Sequence, residues 1–566
     1  MNKLGIFILL FLGIAGLYLE QQPQLVSGFP WIISIIDYLL FLFLITEAVV
    51  NFIKTPFKSG YIRSHLASVI FLGVYSFFFI INKLNLFFNP DTTAGLNFFF
   101  IIIRNILLIL KMYGRIRKFT GYLNSIASKP AQTVVLSFFI VILVGTLLLT
   151  LPFMSNSGHI LFIDALFTAT SAVCVTGLAV VDTAVHYTIW GKVTIMLLIQ
   201  IGGLGIMLLS SFMMLVLKRT VSLKDRSVLS FMLDEKDIVS IRKSVKRIIF
   251  LTFSMEAAGA LLLLPVFLRM KLNPFSAIFY SLFHAVSAFC NAGFSLFSDS
   301  LLSFQGDVYM NLIISLLIIL GGISFIVIID TASGIKRIFS GGKAMLSINT
   351  KVVLKVSGAL ILVSTLFIYK LEHETMFLSM GLGRQYLSAF FQAVTLRTAG
   401  FNTIDFGTLR NSTLMFMIGV MFIGGASGST AGGIKVNTLG AIWAYIHSFR
   451  RERDEILIYK HQLPYAKIQQ AFIVISFAVL SIFIVSFILM LTEDAAPLNL
   501  LFETVSAFAT VGLSTGITPL LSLTGKICII CLMFIGRIGP LTLLTASSGR
   551  EKKSRITYPE ASLLIG

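Results

Sequence analysis

The segments SAVCVTGL (171–178), SAFCNAGF (287–294), TLRTAGF (395–401) and SAFATVGL (506–513) are four variants of one short sequence. Their glycines recur at intervals of 116, 107 and 112 residues, at Gly177, Gly293, Gly400 and Gly512. Internal repeats of this kind decide the architecture of a chain before any other pattern. The sequence therefore predicts four related units that assemble into one ring within a single polypeptide.

A second glycine mark follows each of these segments. It lies 25, 28, 24 and 24 residues after the first glycine, at Gly202-Gly203, Gly321-Gly322, Gly424-Gly425 and Gly536. Two matched periodicities indicate four copies of one supersecondary unit. They favour a single pore with pseudo-fourfold symmetry.

The composition indicates a membrane protein. Of the 566 residues, 57% are hydrophobic and 12% are charged, and the mean hydropathy is +0.93. A soluble domain has about 25% charged residues, so the length of this chain is used for membrane spans. The four cysteines show no paired spacing and are interpreted as small apolar packing residues rather than disulfides or metal ligands.

Each unit is predicted to contain a long apolar helix, a short helix, the glycine segment and a second apolar helix. The apolar runs are 132–152, 160–173 and 190–217; 246–268, 274–289 and 308–330; 351–369, 384–396 and 412–446; 467–491, 497–509 and 524–546. A spanning helix needs roughly 20 apolar residues, so each short helix must enter and leave on one side. Backbone that ends inside a membrane is tolerated where it lines a cavity, which predicts re-entrant pore helices.

The predicted fold is an all-α polytopic membrane protein with four tandem helix–pore-loop–helix repeats. Its segments are 1–130 (about four extra helices), 131–217, 246–330, 351–446 and 467–546 (repeats one to four), and 547–566 (a cytoplasmic tail). The last apolar run of the extra region contains Arg104. This run gives the region a weak resemblance to a four-helix voltage-sensor module. Its charges lack regular every-third-residue spacing, so a structural or regulatory module is the preferred interpretation.

Loop charges predict the orientation. Basic residues concentrate in the connection 218–247, in two later connections around Lys336 and Arg450, and in the tail. By the positive-inside rule these faces are cytoplasmic, so the glycine segments open outward. Acidic residues near that outer mouth would raise the local cation concentration; they are Asp182, Asp299, Asp405, Glu493 and Asp494. The net charge of +19 follows from the inner loops and does not indicate nucleic-acid binding.

The glycine segments suit a monovalent cation. A ring of backbone carbonyls can replace the hydration shell of such an ion, and a residue without Cβ lets several carbonyls point one way. No residue of these segments next to the glycines is charged, as expected where carbonyls bind the ion. The predicted selectivity filter consists of Val175, Thr176, Gly177, Asn291, Ala292, Gly293, Thr398, Ala399, Gly400, Thr510, Val511 and Gly512.

The last helix of the third repeat is interrupted by GGASGSTAGG (424–433). Such a density of glycine and small residues does not hold a helix, since each glycine costs roughly 1 kcal/mol. We expect a flexible loop that lines the pore. Arg537, directly after Gly536, is predicted beneath the filter, with a structural ion pair as the alternative. His284 and Glu503 occupy equivalent positions on short helices and are expected to cap or pack, while Glu256 has no evident partner.

Several motifs in the right order resemble the Trk/Ktr/HKT superfamily of potassium transporters, and most closely the KtrB-type membrane subunits of bacterial Ktr systems. The resemblance rests on the four filter segments, LRTAGFNTID (396–405), GGASGSTAGGIK (424–435), GRIGPLTLL (536–544) and YPEASLLIG (558–566). It covers about 130–566. The third filter segment departs from the others because it is one residue shorter upstream and contains Arg397.

The resemblance implies a potassium uptake subunit in the bacterial cytoplasmic membrane that forms a homodimer and is regulated by a cytoplasmic nucleotide-binding ring of the RCK (KtrA-like) type. It implies that the glycine loop is a gate below the filter, formed by Gly424, Gly425, Ser427, Gly428, Ser429, Thr430, Gly432, Gly433 and Lys435 together with Arg537. This chain would bind no cofactor and no metal beyond its transported cation, which is potassium, with sodium as a second candidate.

Two other functions were weighed. Sodium-coupled potassium symport uses the same scaffold and the same filter, so sequence alone does not separate it from passive conduction. A polytopic membrane enzyme would need a convergent set of catalytic side chains. The seven scattered histidines, without HExxH or Cys/His spacing, give an enzyme little support.

Overall fold

The computed structural model describes residues 130–205, 238–341, 346–378 and 380–547, together with single residues between 38 and 80. The described chain is predominantly helical, with one short antiparallel hairpin, which confirms the predicted helical class. The extra region 1–130, the connection 218–237 and the tail 548–566 lie almost wholly outside the described residues. Within the extra region, helical Phe41 and Phe79 stack with ring centroids 4.1 Å apart.

The first unit begins with an apolar helix and is described as far as Gly205, so residues 206–217 of its predicted last helix lie outside the described residues. Its helices are α1 (Pro130–Leu149), α2 (Phe162–Cys174), α3 (Thr183–His186) and α4 (Ile189–Leu204). The hydroxyl of Thr188 caps α4 by accepting a hydrogen bond from the N–H of Gly191 at 3.4 Å. Helix α4 ends at Gly205, whose φ of +80° no other residue type adopts readily.

The second unit contains a break that the sequence analysis did not predict. Its helices are α5 (Ile238–Arg269), α6 (Pro274–Phe289), α7 (Val308–Gly322) and α8 (Phe325–Phe339). The expectation of one helix over 308–330 is wrong, because α7 and α8 meet at 104°. Ser324 causes the break: its φ of +65° and ψ of 134° cannot continue a helix. It is three residues after Gly321, as Gly205 is three residues after Gly202.

The third unit contains the glycine loop. Its helices are α9 (Ile348–Glu372), α10 (Leu382–Thr395), α11 (Asn411–Met421) and α12 (Val436–Phe449), followed by a hairpin of β1 (Leu457–Ile458) and β2 (His461–Gln462). The buried carboxyl of Glu372 starts α11, since it accepts hydrogen bonds from the N–H of Arg410 at 3.1 Å and the hydroxyl of Thr413 at 2.5 Å. The predicted interruption lies between α11 and α12.

The fourth unit repeats the break of the second. Its helices are α13 (Tyr465–Thr492), α14 (Pro497–Ala509), α15 (Leu523–Ile538) and α16 (Pro540–Ser547). One continuous helix over 524–546 was expected, and this too is wrong, since α15 and α16 meet at 91°. Gly539 has φ +86° at the break, and Pro540 has no N–H to continue the helical hydrogen bonds. Gly539 is three residues after Gly536, the same spacing as in the first two units.

The four units pack in cyclic order. The apolar helix that follows the repeat segment of each unit contacts the short helix of the next unit, in the pairs α4–α6, α7–α10, α11–α14 and α15–α2. The last pair closes the circle with an ion pair between Lys526 Nζ and Asp164 Oδ1 at 2.7 Å. The amide of Gln132 on α1 also donates to the carbonyl of Ala546 on α16 at 2.8 Å. The first and last units are therefore neighbours.

The described helices suit a polytopic membrane protein by length and composition. Four of them, α1, α5, α9 and α13, are long and apolar enough to cross a membrane, and the two bent pairs raise this number to six. The short helices α2, α6, α10 and α14 have 13, 16, 14 and 13 residues. Each is shorter than the roughly 20 residues that a full crossing needs.

Three glycines allow backbones of neighbouring helices to touch. Gly202, Gly321 and Gly536 lie against the carbonyl oxygens of Val173, Phe289 and Phe508, and a Cβ at any of the three would overlap that oxygen. Each oxygen belongs to the residue four positions before the glycine of the same repeat segment. Small residues at such contacts are how helices approach closely inside a membrane.

We predict that Gly536→Ala destabilises the fold by roughly 1–3 kcal/mol, the usual cost of inserting a methyl group into a packed site. The overlapped atom is backbone of α14 and cannot move aside as a side chain would. The matched control is Gly358→Ala on α9, where no atom lies within 4 Å of the added Cβ. Thermal unfolding in detergent measures both variants. Equal melting temperatures would contradict the assigned contact.

Candidate functional site

The glycines of the four repeat segments meet at one place, called here the glycine ring (Gly177, Gly293, Gly400 and Gly512). A Cβ built on Gly177 would lie 3.1 Å from the Cα of Gly293, and one on Gly293 would lie 2.8 Å from the Cα of Gly400. A Cβ on Gly400 would lie 3.3 Å from the Cα of Gly512, and one on Gly512 would lie 3.0 Å from the Cα of Gly177. Segments more than a hundred residues apart in sequence thus form a closed ring of neighbours.

The backbone at the ring has the same unusual conformation four times. The second residue before each glycine is left-handed, with φ values of 57°, 59°, 69° and 52° at Val175, Asn291, Thr398 and Thr510. The glycines themselves have φ values of 97°, 69°, 81° and 89°. Left-handed φ is uncommon for residues other than glycine and is costly for β-branched ones. The tertiary structure therefore imposes this conformation.

This conformation directs four carbonyl oxygens at the ring. The oxygens of Ala292, Ala399 and Val511 would lie 2.5, 2.7 and 2.6 Å from a Cβ on Gly177, Gly293 and Gly400, and that of Thr176 would overlap a Cβ on Gly512. Within the described chain, no hydrogen-bond donor reaches these four oxygens.

Three buried hydroxyls of the same segments also lack a hydrogen-bond partner in the described chain; they belong to Thr176, Thr398 and Thr510. Native proteins pair nearly all their buried polar atoms. A site with this many unpaired oxygens is built for a ligand that accepts electron pairs, and a cation is such a ligand.

The first residue of each repeat segment has a hydroxyl that forms a hydrogen bond with the backbone at or next to the ring glycine. These four residues are called here the braces of the ring. The hydroxyls of Ser171 and Ser506 accept hydrogen bonds from the N–H groups of Gly177 and Gly512 at 3.0 and 3.1 Å. Those of Ser287 and Thr395 donate to the carbonyls that follow the other two glycines, at 2.7 and 2.6 Å. The sequence contains a signal for this role, because a serine or threonine recurs as the first residue of each segment.

The third segment differs from the others as its sequence implies. In the first unit the N–H of Thr176 donates to the carbonyl of Ser171 five residues back, and the second and fourth units do the same. In the third unit the N–H of Ala399 donates only four residues back, to Thr395. The missing residue therefore tightens one turn. Buried Arg397 lies within that turn, and its guanidinium donates a hydrogen bond to the glycine loop.

The glycine loop (424–433) lies against the residues that precede the ring glycines. A Cβ on Gly424 would come 3.3 Å from Thr398, and one on Gly432 would overlap the hydroxyl of Thr510. The two ends of the loop are joined by a hydrogen bond from the N–H of Gly424 to the carbonyl of Ile434 at 2.9 Å. Inside the loop the hydroxyl of Ser429 donates to the carbonyl of Ala426 at 2.7 Å.

The loop is docked on the break between α7 and α8. That break frees the carbonyls of Gly321 and Gly322, which accept hydrogen bonds from the hydroxyl of Thr430 at 3.0 Å and the N–H of Ala426 at 2.9 Å. In return, the N–H of Phe325 donates to the carbonyl of Gly428 at 3.4 Å. The unexpected break in the second unit therefore supplies the acceptors that hold the loop of the third.

Three cationic side chains bind carbonyls of the loop. Arg397 donates to Gly424 at 3.1 Å, and Lys435 donates to Ala431 and Gly432 at 2.5 and 3.2 Å. Arg537 donates to Thr430 and, on the other side, to the carbonyl of Gly202 on α4.

None of these three cations pairs with a carboxylate within the described residues. The alternative of an ion pair for Arg537 therefore has no support there. Ser427 is exposed, and its N–H donates a hydrogen bond to the side chain of Asn437 at 3.2 Å.

Four of the acidic residues predicted at the outer mouth accept hydrogen bonds from backbone N–H groups. Asp182 and Asp405 accept hydrogen bonds from the N–H groups two residues later, at 2.7 and 2.9 Å, and each starts a helical turn. Asp299 and Glu493 act in the same way toward the N–H groups of later serines. Glu256, left without a partner by the sequence analysis, accepts from the thiol of Cys290 at 3.6 Å.

Metal chemistry has no evident site in the described chain. Among these residues no group of three histidine, cysteine, aspartate or glutamate side chains is arranged to hold a metal ion.

Comparison with known proteins places the chain among cation transporters. The profile of the TrkH family, described as cation transport protein, matches residues 101–555. The Ktr system potassium uptake protein B of Bacillus subtilis is 40% identical over 442 residues, which cover 77% of this chain and 97% of that protein. The potassium/sodium uptake protein NtpJ of Enterococcus hirae is 38% identical, with coverage of 77% and 97%.

The fold is also similar to a solved structure. The crystal structure of the potassium transporter TrkH from Vibrio parahaemolyticus superposes with a TM-score of 0.61, and the match covers 86% of this chain and 97% of that one. Sequence identity in this match is 20%, so it supports the fold alone.

Proposed function

Since this chain belongs to the TrkH family of cation transport proteins, and so is a polytopic membrane transporter rather than an enzyme, we propose that it takes up potassium ions across the bacterial cytoplasmic membrane. The observation that carries this proposal is the set of four carbonyl oxygens at the glycine ring that no donor reaches. Relatives at about 40% identity are named as potassium uptake proteins, which supports potassium as the ion.

In this proposal the glycine ring is the selectivity filter, and α2, α6, α10 and α14 are re-entrant pore helices. Carbonyls can replace the water of an ion only where the backbone holds them at a fixed spacing. The serine and threonine braces behind the ring supply that spacing. The unpaired hydroxyls of Thr176, Thr398 and Thr510 would add ligands on the side facing the loop.

We predict that Gly400→Ser lowers the ratio of potassium to sodium flux by roughly tenfold, which corresponds to about 1.4 kcal/mol of discrimination. A Cβ at Gly400 would lie 2.6 Å from the carbonyl oxygen of Val511 and would displace a proposed ion ligand. Ion flux into proteoliposomes measures the ratio.

The matched control for this experiment is Gly419→Ser on α11, where an added Cβ meets no atom within 4 Å. We expect the wild-type ratio in that variant. If serine at each of the four ring positions left the ratio unchanged in folded protein, the filter assignment would be wrong.

We further propose that the glycine loop and Arg537 form a gate on the inner side of the filter. The loop lies directly against the residues that precede the ring glycines, and Arg537 holds it by the carbonyl of Thr430. A fixed cation near the path also opposes an approaching ion. Two unit charges about 5 Å apart at an effective dielectric constant near 20 interact by roughly 3 kcal/mol, which slows conduction about a hundredfold.

We predict that Arg537→Ala, or deletion of residues 427–431, raises potassium uptake by roughly tenfold to a hundredfold in a bacterial strain that lacks other potassium transporters. Both changes remove the hydrogen bond that fixes Thr430, and the first also removes the positive charge.

Arg384→Ala is the control, because Arg384 is exposed at the start of α10 and lies outside the loop cluster. Unchanged or lower uptake in a folded, loop-deleted protein that remains under regulation would rule out the gate.

We propose that the chain works as a homodimer regulated by a cytoplasmic nucleotide-binding ring. The hairpin of β1 and β2 follows the basic residues Arg450, Arg451 and Arg453 and exposes its tip. At that tip Tyr459 lies 6.0 and 5.7 Å from the ammonium groups of Lys351 and Lys355, which gives the face a positive charge. The ring would contact this face together with the connection 218–247 and the tail.

We predict that replacing residues 455–463 by a short flexible linker abolishes nucleotide control of uptake while basal uptake remains. The loss follows because the hairpin would be a contact of the regulatory ring rather than part of the ion path. Co-purification with that ring in mild detergent and uptake with added nucleotide measure the two properties. Full nucleotide sensitivity in the isolated chain would refute a separate regulatory subunit.

Sodium-coupled potassium symport is the second candidate. It is favoured by the relative named as a potassium/sodium uptake protein. Potassium flux into proteoliposomes with sodium removed from both sides separates the two functions, because symport stops and passive conduction continues.

A further inference from the structure

A second polar position recurs on the short helices, one turn before the braces of the ring. It lies nine residues before the ring glycine in three units and eight residues before it in the shortened third unit. The four residues are different in every unit: Thr168, His284, Gln392 and Glu503. All four are buried, with at most 1% of the side chain exposed.

Three of these side chains reach across to the chain that leaves the ring. His284 Nε2 accepts from the N–H of Leu296 at 3.4 Å, and the amide of Gln392 donates to the hydroxyl of Thr403 at 3.0 Å. Both partners lie just after their ring glycines. In the first unit Thr168 makes no hydrogen bond to the residues just after Gly177; the hydroxyl nearest to it is that of Tyr187, ten residues after the ring glycine.

Glu503 makes the most extensive of these connections. Its carboxyl accepts a hydrogen bond from the hydroxyl of Ser514, two residues after Gly512. Both of its oxygens also accept from the hydroxyl of Thr518, at 3.1 and 3.2 Å. Ser514 in turn accepts from the N–H of Gly516 at 2.9 Å, so the whole turn after the ring is tied to one carboxyl.

The fourth segment touches both of its neighbours in the ring. The carbonyl of Val511 faces Gly400, and Gly512 lies beside Gly177. A movement of this segment therefore changes two of the four contacts between segments. Glu503 contacts two residues of the turn that follows its ring glycine, Ser514 and Thr518, and so makes the most extensive of the four connections.

We propose that Glu503 is a positioning residue for ion selection: by holding Ser514 and Thr518 it fixes the fourth quarter of the glycine ring at the spacing that suits potassium. The proposal rests on the filter assigned above. If the turn were free, the carbonyl of Val511 could approach a smaller cation, and the discrimination against sodium would fall.

The test is Glu503→Gln, which keeps the size of the side chain and one carbonyl acceptor but loses the carboxylate. We expect the ratio of potassium to sodium flux in proteoliposomes to fall by about tenfold, because the amide nitrogen of glutamine cannot accept one of the hydrogen bonds that hold the turn. Thr518→Val, which removes the partner hydroxyl, should lower the same ratio. The double variant should be no worse than Glu503→Gln, because both changes break one connection.

The matched control is Glu372→Gln. Glu372 is equally buried and likewise accepts from a threonine hydroxyl and a backbone N–H, but its partners lie at the start of α11 rather than next to the ring. We expect the wild-type flux ratio in this variant. An equal loss of selectivity in Glu372→Gln would mean that any buried carboxyl has the same effect, and would overturn the proposal.

The outcomes also separate this proposal from the filter assignment. If Gly400→Ser changes the flux ratio and Glu503→Gln does not, the positioning role is wrong and the filter stands. If neither variant changes it, the filter assignment itself fails. Should Glu503→Gln not fold, Thr518→Val decides alone: a lower ratio supports the proposal, and a wild-type ratio overturns it.

Discussion

The described structure depends on holding four carbonyl oxygens close together with no donor of the protein to satisfy them. Such dipoles repel one another, and an unpaired buried polar group costs free energy. The surrounding elements offset that cost: the left-handed residues Val175, Asn291, Thr398 and Thr510 aim the oxygens, and the serine and threonine hydroxyls hold the glycines. Glycines on the long helices then let the short helices approach by backbone contact. The ring is therefore a strained arrangement that the whole circle of helices maintains.

The glycine loop also has backbone groups that need hydrogen-bond partners from other parts of the chain. A loop of this composition has only small side chains with which to pack, and much of its hydrogen bonding is made with other parts of the chain. It takes donors from Arg397, Lys435 and Arg537 and acceptors from the break at Ser324. Cationic side chains without an acidic partner among the described residues need other acceptors, and these three bind backbone carbonyls. The loop is thus flexible by composition but fixed by contacts from three different units.

Sequence alone predicted the features that repeat. The glycine spacing, the short helices and the interrupted helix of the third unit all leave a periodic or compositional mark, and the described helices fall where those marks are. Features that depend on one residue meeting a distant one were missed. Ser324 breaks α7 from α8, yet serine carries no local signal for left-handed backbone, and the break is stabilised by a loop about a hundred residues later. The role of Arg397 was equally hidden, because its partner Gly424 belongs to a helix interruption rather than to the repeat segment.

Arg537 shows what four similar segments within one polypeptide permit. The position one residue after the second glycine mark holds Gly203 in the first unit, Gly322 in the second and arginine in the fourth. A ring built from four identical subunits would have to carry four arginines at this level, and their mutual repulsion would add to that of any incoming cation. In a fused chain each quadrant can diverge by itself. One guanidinium can therefore join the carbonyls of Gly202 and Thr430, a stoichiometry of one per ring that no homotetramer can encode.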